Sequence, residues 1–114
     1  MKFQSFVLLL LLILLASFTV NKAIPGGGWT PIKDITNIHY IKIARFAVIQ
    51  YDKQEGATFE FKTLIKGEYQ SFSVGTNFRL TLTARNGSSS SNYEAVVWEP
   101  AFGLLWKLTS FKHV

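Results

Sequence analysis

The chain has no cysteine, one methionine, three prolines and two histidines in 114 residues. Each shortage excludes something. Without cysteine there is no disulfide framework, no thiol nucleophile and no thiolate metal site. With so little histidine and no clustered acidic pair, no nucleophile–base pair or metal constellation is evident. An enzyme is therefore not expected, and neither is a metal or other cofactor. Acidic residues are also scarce, seven against twelve lysines and arginines, for a net charge of +5. The basic residues stand singly, without the clustering and interleaved aromatics of a nucleic-acid surface. Solubility accounts for that charge.

What the chain has in plenty is apolar side chain, 48% of its residues. Part of this is a leader. Met1-Lys2 is followed by an almost unbroken apolar run from Phe6 to Leu15, then by small residues at Ala16, Ser17, Thr19 and Ala23. That order predicts a secretory signal peptide over residues 1–23. The cleavage position stays open between Ser17-Phe18-Thr19 and the bond after Ala23. The run is short for a membrane span. A secreted, monomeric domain over residues 24–114 is expected, with no membrane association once the leader is removed. About 90 residues allow one core with little to spare, so burial and sheet hydrogen bonds must hold it without disulfides.

Residues 37–54 carry a helical period: Tyr40, Ile43, Ala44, Ala47 and Tyr51 share one side, while Lys42, Arg45, Gln50, Lys53 and Gln54 lie off it. Thr36 or Asn37 is the N-cap candidate, and Gly56 marks the stop. Everything after it reads as strands. Thr58–Tyr69 alternates, with a break in phase at Thr63-Leu64 that predicts a bulge or a change of face. Gly75–Arg85 alternates again, Tyr93–Trp98 is the next strand and Leu104–Phe111 the last. Asn86-Gly87 and the serines after it predict a turn or loop. Asn86-Gly87-Ser88 also has the N-glycosylation pattern. Trp29 and Ile32 open a short first strand that Pro31 marks as an edge. His39 is given no role. The fold expected is α+β, an antiparallel sheet of four or five strands wrapped around one helix.

Several of these stretches resemble the plant cystatins, or phytocystatins, small inhibitors of papain-like cysteine proteases. The decapeptide Ile43–Asp52 follows their helix signature, with Asp52 where Asn is usual. Gly27-Gly28-Trp29-Thr30-Pro31-Ile32 is similar to their Gly-Gly pair before Trp-x-Pro-Ile. Gly75-Thr76-Asn77-Phe78-Arg79-Leu80 is similar to their Gly-Thr-Asn-Tyr-Arg-Leu. The absence of cysteine fits the plant type.

The resemblance implies a cystatin-like fold and a protease-binding edge of three parts. These are the trunk Gly27-Gly28, a first loop Gln70-Ser71-Phe72-Ser73-Val74-Gly75, and a second at Pro100-Ala101-Phe102. It implies papain-like cysteine proteases as partners and a reversible, tight-binding wedge as mechanism. Two parts depart from the family pattern. Four residues separate Gln70 from Gly75 where the Gln-x-Val-x-Gly motif has three, so Phe72 or Val74 takes the place of its Val. Ala101-Phe102 stands at the family's Pro-Trp pair, with Pro100 displaced by one. If the extra residue lies in a loop, removing Ser71 leaves the flanking strands in register. Two other readings remain: a cystatin-fold secreted protein with weakened or lost inhibition, serving as a binding or storage domain, and a membrane-active peptide. Scattered charges give the latter little of the cationic amphipathic surface it needs. Core packing is the alternative for Phe72 and Phe102.

Overall fold

The computed structural model describes residues 28–102 and 105–114. Residues 1–27, which include the stretch expected to be a leader and Gly27, lie outside the described residues. Six elements follow in chain order: β1 (Thr30–Pro31), α1 (Ile38–Glu55), β2 (Glu60–Phe72), β3 (Gly75–Asn86), β4 (Ser89–Pro100) and β5 (Lys107–His113). The strands form one antiparallel sheet in sequence order, β1 to β5, and α1 packs across it.

The helix starts and stops where the sequence predicts. Asn37 is the N-cap: extended itself, it accepts the His39 N–H on its side chain at 2.9 Å. Gly56 ends the helix in the left-handed region at φ 65°, its N–H donating to the Asp52 carbonyl. The face turned to the sheet is Ile43, Ala44, Ala47 and Val48, all buried. Two alanines in that row let the helix lie close to β3, whose Phe78, Leu80, Leu82 and Ala84 point up at it. Ala95 and Val97 from β4, Leu64 from β2 and Ile32 complete the core. At Gly67 a Cβ would stand 2.8 Å from the side-chain ends of both Ile32 and Leu80, so any side chain at this strand position would displace them.

Towards the C-terminal end of α1, aromatic stacking takes over. Tyr51 stacks on Phe111 at 4.2 Å, Phe111 on Tyr93 at 5.3 Å, and Phe59 closes on Tyr93 at 5.1 Å. One cluster thus joins α1, β4, β5 and the start of β2, in a chain that has no covalent staple. Asp52 fixes its geometry by accepting the Phe59 N–H at 2.9 Å. Asparagine offers the same Oδ1 acceptor, which explains why Asp can stand at this helix position. Asp52→Asn should leave thermal unfolding within about 0.5 kcal/mol of wild type, whereas Asp52→Ala, which orphans the amide, should cost about 1–2 kcal/mol. Urea melts of both variants measure the difference.

The strands run further than their alternation predicts. β2 continues through Gln70, Ser71 and Phe72, which pair with Asn77, Thr76 and Gly75. The first loop is therefore only Ser73-Val74, and the extra residue is absorbed in the ladder. Ser71 sits opposite Thr76 inside a paired strand, so its removal would shift the register, contrary to the expectation for a loop. Likewise Ser89–Asn92 belong to β4, leaving Gly87-Ser88 as the turn, with Gly87 at φ 67°. Serine is a poor strand former but pairs well enough beside a glycine turn. β2 is irregular on either side of Thr63-Leu64 and not at that step: the register slips between Phe61 and Thr63 and again between Leu64 and Lys66. β5 begins at Lys107, after the expected Leu104, which lies outside the described residues.

On the outer face of the sheet, Glu60 meets Arg85 across β2 and β3 at 3.2 Å. The Arg85 hydrogen bond, then its charge and that of Lys62, hold the Glu60 carboxyl below its usual range. Its contribution is present above the ordinary carboxylate range and lost as pH falls through the lowered value. Solvent exposure of the pair keeps that contribution small.

Candidate functional site

The β2–β3 hairpin and the C-terminal end of β4 finish side by side. Gly75 pairs with Pro100, and beyond the ladder the Ala101 N–H donates to the Val74 carbonyl at 2.9 Å. This lateral bond supports an unusual tip. Two-residue hairpins favour turns with positive φ, which match the sheet twist. Neither Ser73 nor Val74 has positive φ, so the tip leans on its neighbour. Gly75 makes the approach possible: a Cβ there would lie 2.5 Å from both the Glu99 carbonyl oxygen and the Trp98 ring. Trp98 roofs that glycine and reaches Phe72, ring to ring, at 6.4 Å.

The resulting edge is apolar and open to solvent. Phe72 is 44% exposed, Val74 66%, Phe102 95% and Leu105 81%. Neither Phe72 nor Phe102 is a core residue. Between the two tips runs a groove of about 340 Å³, walled by Phe72, Pro100, Ala101, Leu105 and Trp106, with Thr76 and Glu99 as polar lining.

β1 brings the N-terminal segment to the same end. Thr30 pairs with Tyr69 and Pro31 with Glu68, and the Ile32 N–H continues the ladder to the Gly67 carbonyl at 2.8 Å. Gly28, an exposed bend, precedes this strand by two residues. A stack on the outer face holds its root: Arg79 lies over the Trp29 ring at 4.4 Å and is itself held by Glu68 at 2.8 Å. A two-residue strand has few hydrogen bonds of its own, and this cation–aromatic contact supplements them.

Comparison with known proteins decides the family. A family model described as "Aspartic acid proteinase inhibitor" matches residues 32–114. "Cysteine proteinase inhibitor 5" of Arabidopsis thaliana is 38% identical over 106 residues, 92% of this chain and 86% of its own. "Cysteine proteinase inhibitor 1" of Actinidia chinensis var. chinensis is 36% identical over 94 residues, 82% of this chain and 80% of its own. The chain belongs to the plant cystatin family. It is thus a member of a protease-inhibitor family and not an enzyme. A salivary cystatin of the soft tick Ornithodoros moubata matches in structure with a TM-score of 0.66 at 21% identity. It covers 80% of this chain and 99% of that one, and carries the fold alone.

Within the cystatin fold, residues expected at the edge from sequence fall into three groups. Gln70, Ser71 and Phe72 are strand residues leading to the tip, Ser73 and Val74 form it, and Gly75 opens the return strand. Pro100 ends β4, with Ala101 and Phe102 exposed just beyond it. Gly28 is exposed just before Trp29, and Gly27 lies outside the described residues. Sequence reasoning missed Trp98, Glu99, Leu105 and Trp106. From sequence Trp98 reads as the end of a strand and Glu99 as part of the junction before Pro100, while Leu105 and Trp106 read as the start of the last strand. His39 was given no role, yet its ring nitrogen Nε2 lies 3.1 Å from a Glu99 carboxylate oxygen. Among the described residues no group of three His, Asp or Glu gathers to hold a metal. The groups at this edge can bury apolar area and offer backbone hydrogen bonds, and they hold no arrangement for bond-breaking chemistry.

Proposed function

We propose that this cystatin is a reversible inhibitor of papain-like cysteine proteases that fills the catalytic cleft as a wedge. The observation that carries it is the bonded pair of tips, Val74 to Ala101, exposing Phe72, Val74 and Phe102 along one edge. Its relatives are named cysteine proteinase inhibitors. In the bound state these side chains lose water against the cleft walls, and Gly27-Gly28 runs along the adjoining non-primed side. The trunk glycines permit close backbone approach, whereas Gly75 is buried beneath Trp98 and shapes the first tip from within, contrary to the expectation that it meets the protease. No peptide bond of the inhibitor need sit in attack geometry, so it is not consumed. The first tip is closed by the β2–β3 ladder and the second is bonded to it through Ala101 before binding, which limits the entropy lost. We further infer that residues 1–23 direct secretion and that the mature domain acts as a monomer.

The description of the matching family model favours a second reading, in which the same edge meets an aspartic protease. Titrating the mature protein against papain and against pepsin separates the two. Stoichiometric loss of papain activity, with the inhibitor recovered uncleaved, is the expected result. Inhibition of pepsin alone would install the second reading, and inhibition of neither would leave a cystatin fold kept for binding or storage.

A truncated chain tests the trunk. Removing the residues through Gly28 leaves Trp29 on Arg79, so the melting temperature should stay within a few degrees while papain inhibition weakens by about tenfold or more. Unchanged inhibition with a large fall in melting temperature would place those residues in the fold and not in the wedge.

A further inference from the structure

We propose that Glu99 is a positioning residue that sets the second tip for protease binding. Its place in the chain is at the end of β4, immediately before Pro100, Ala101 and Phe102. One carboxylate there reaches two distant elements. The Trp106 indole N–H donates to Oε2 at 2.7 Å, and His39 Nε2 lies 3.2 Å from Oε1 and 3.1 Å from Oε2.

Trp106 stands at the far end of the β4–β5 connection, just before β5, so the Trp106–Glu99 bond ties the two ends of that connection together. His39 is in the first turn of α1, so the same carboxylate ties the connection to the helix. The Trp106 ring is held in turn, edge-on to Phe46 at 5.5 Å and to His39 at 6.2 Å. Glu99 also supplies the backbone oxygen under which Gly75 must pass. The clamp thus stands directly behind the Ala101–Val74 bond that joins the tips.

A carboxylate with a short indole hydrogen bond and a facing imidazole is a charge-assisted contact, stronger and more directional than neutral bonds. Its role follows from what it holds. Ala101 and Phe102 follow Glu99 and Leu105 precedes Trp106, and none of the three has a core to lean on. Without the clamp they would sample many arrangements, and only the fraction with both tips aligned would bind.

The consequence for inhibition rests on the reading proposed above, but the clamp itself is tested on the free protein. The measurement is hydrogen exchange at the Ala101 amide, whose bond to Val74 reports the docked tip, together with papain inhibition by the same samples. Glu99→Ala and Trp106→Phe should each speed Ala101 exchange by about tenfold or more, leaving central β3 amides unchanged. Both should weaken inhibition about tenfold, and the double variant should be no worse than the poorer single one, because one bond is lost in either case. Glu99→Gln keeps an acceptor for Trp106 and should restore most of both readouts.

Ala101 exchange unchanged in Glu99→Ala and Trp106→Phe would overturn the proposal. So would faster exchange with undiminished papain inhibition, since the tip would then not need positioning. If Glu99→Ala unfolds the whole domain, Trp106→Phe, which keeps an aromatic ring and removes the indole N–H, decides by the same Ala101 criterion. If the wild type fails to inhibit papain, the inhibitor reading falls alone. The clamp is then supported by faster Ala101 exchange in the variants and overturned by its absence.

Discussion

Ala47→Glu should unfold the domain or bring it close to unfolding. Ala47 is fully buried in the middle of α1, among Ile43, Ala44 and Val48 on one side and the β3 core residues on the other. Its methyl group is small because the helix lies near the sheet, so glutamate adds both volume and a carboxylate. Among the described residues no polar or charged side chain is buried, so nothing in the core can pair with it. Overpacking alone commonly costs about 1–3 kcal/mol, and an unpaired polar group adds several more. A domain of this size has roughly 5–15 kcal/mol in total. A fall of more than about 20 °C in melting temperature is expected, at about 4–8 °C per kcal/mol. Ile49→Glu is the matched control: two residues on, Ile49 points to solvent, and the same charge there should shift melting by only a few degrees. Equal effects at the two positions would mean that the buried face of α1 is assigned wrongly.

That contrast also shows what could be read from sequence. The face of α1 follows from the spacing of Ile43, Ala44 and Ala47, because a 3.6-residue period places them together whatever they touch. Its ends follow from Asn37 and Gly56, whose local chemistry suits the two caps. Alternation in β3 likewise marks Phe78, Leu80 and Leu82 as inward. The hairpin ends were less legible for a physical reason. At Gln70–Phe72 and Ser89–Asn92 the strands pass the edge of the core, so burial no longer imposes alternation and the residues look like loop. Pairing continues there because the backbone ladder needs no apolar side chain.

The candidate site was legible in its apolar residues and not in its supports. Phe72, Val74 and Phe102 stood out within three residues of a glycine or proline. The Glu99 contacts with His39 and Trp106 did not, since His39 and Glu99 are 60 positions apart and neither lies in a spacing pattern. Arg79 over Trp29 is hidden for the same reason. Both supports depend on which strands lie next to each other, and that is known only after the sheet order β1 to β5 is known.

The first tip carries the second large expectation. Val74 projects from the turn and packs against little of its own chain, so Val74→Asp should leave melting almost unchanged. Driven into an apolar cleft, the new carboxylate would lose its water without gaining a partner, and papain inhibition should fall by about 100-fold or more. Val74→Ala, which removes only contact area, should cost about tenfold. Deleting Ser71 separates two accounts of the extra residue. Were it spare loop, the deletion would match the family's loop length and tighten binding. Ser71 is instead paired with Thr76, and a one-residue slip sends the following side chain to the opposite face of the sheet. Phe72 would then leave Trp98, and the Phe72–Gly75 closure would be lost. The deletion should therefore weaken inhibition as severely as Val74→Asp does, and it should lower melting as well. Adding Ser73→Val should not rescue it, because the valine would be carried on a misaligned tip. Tighter inhibition by the shortened chain would show that the tip is free to re-form, and that the lateral bond from Ala101 to Val74 does not dictate its position.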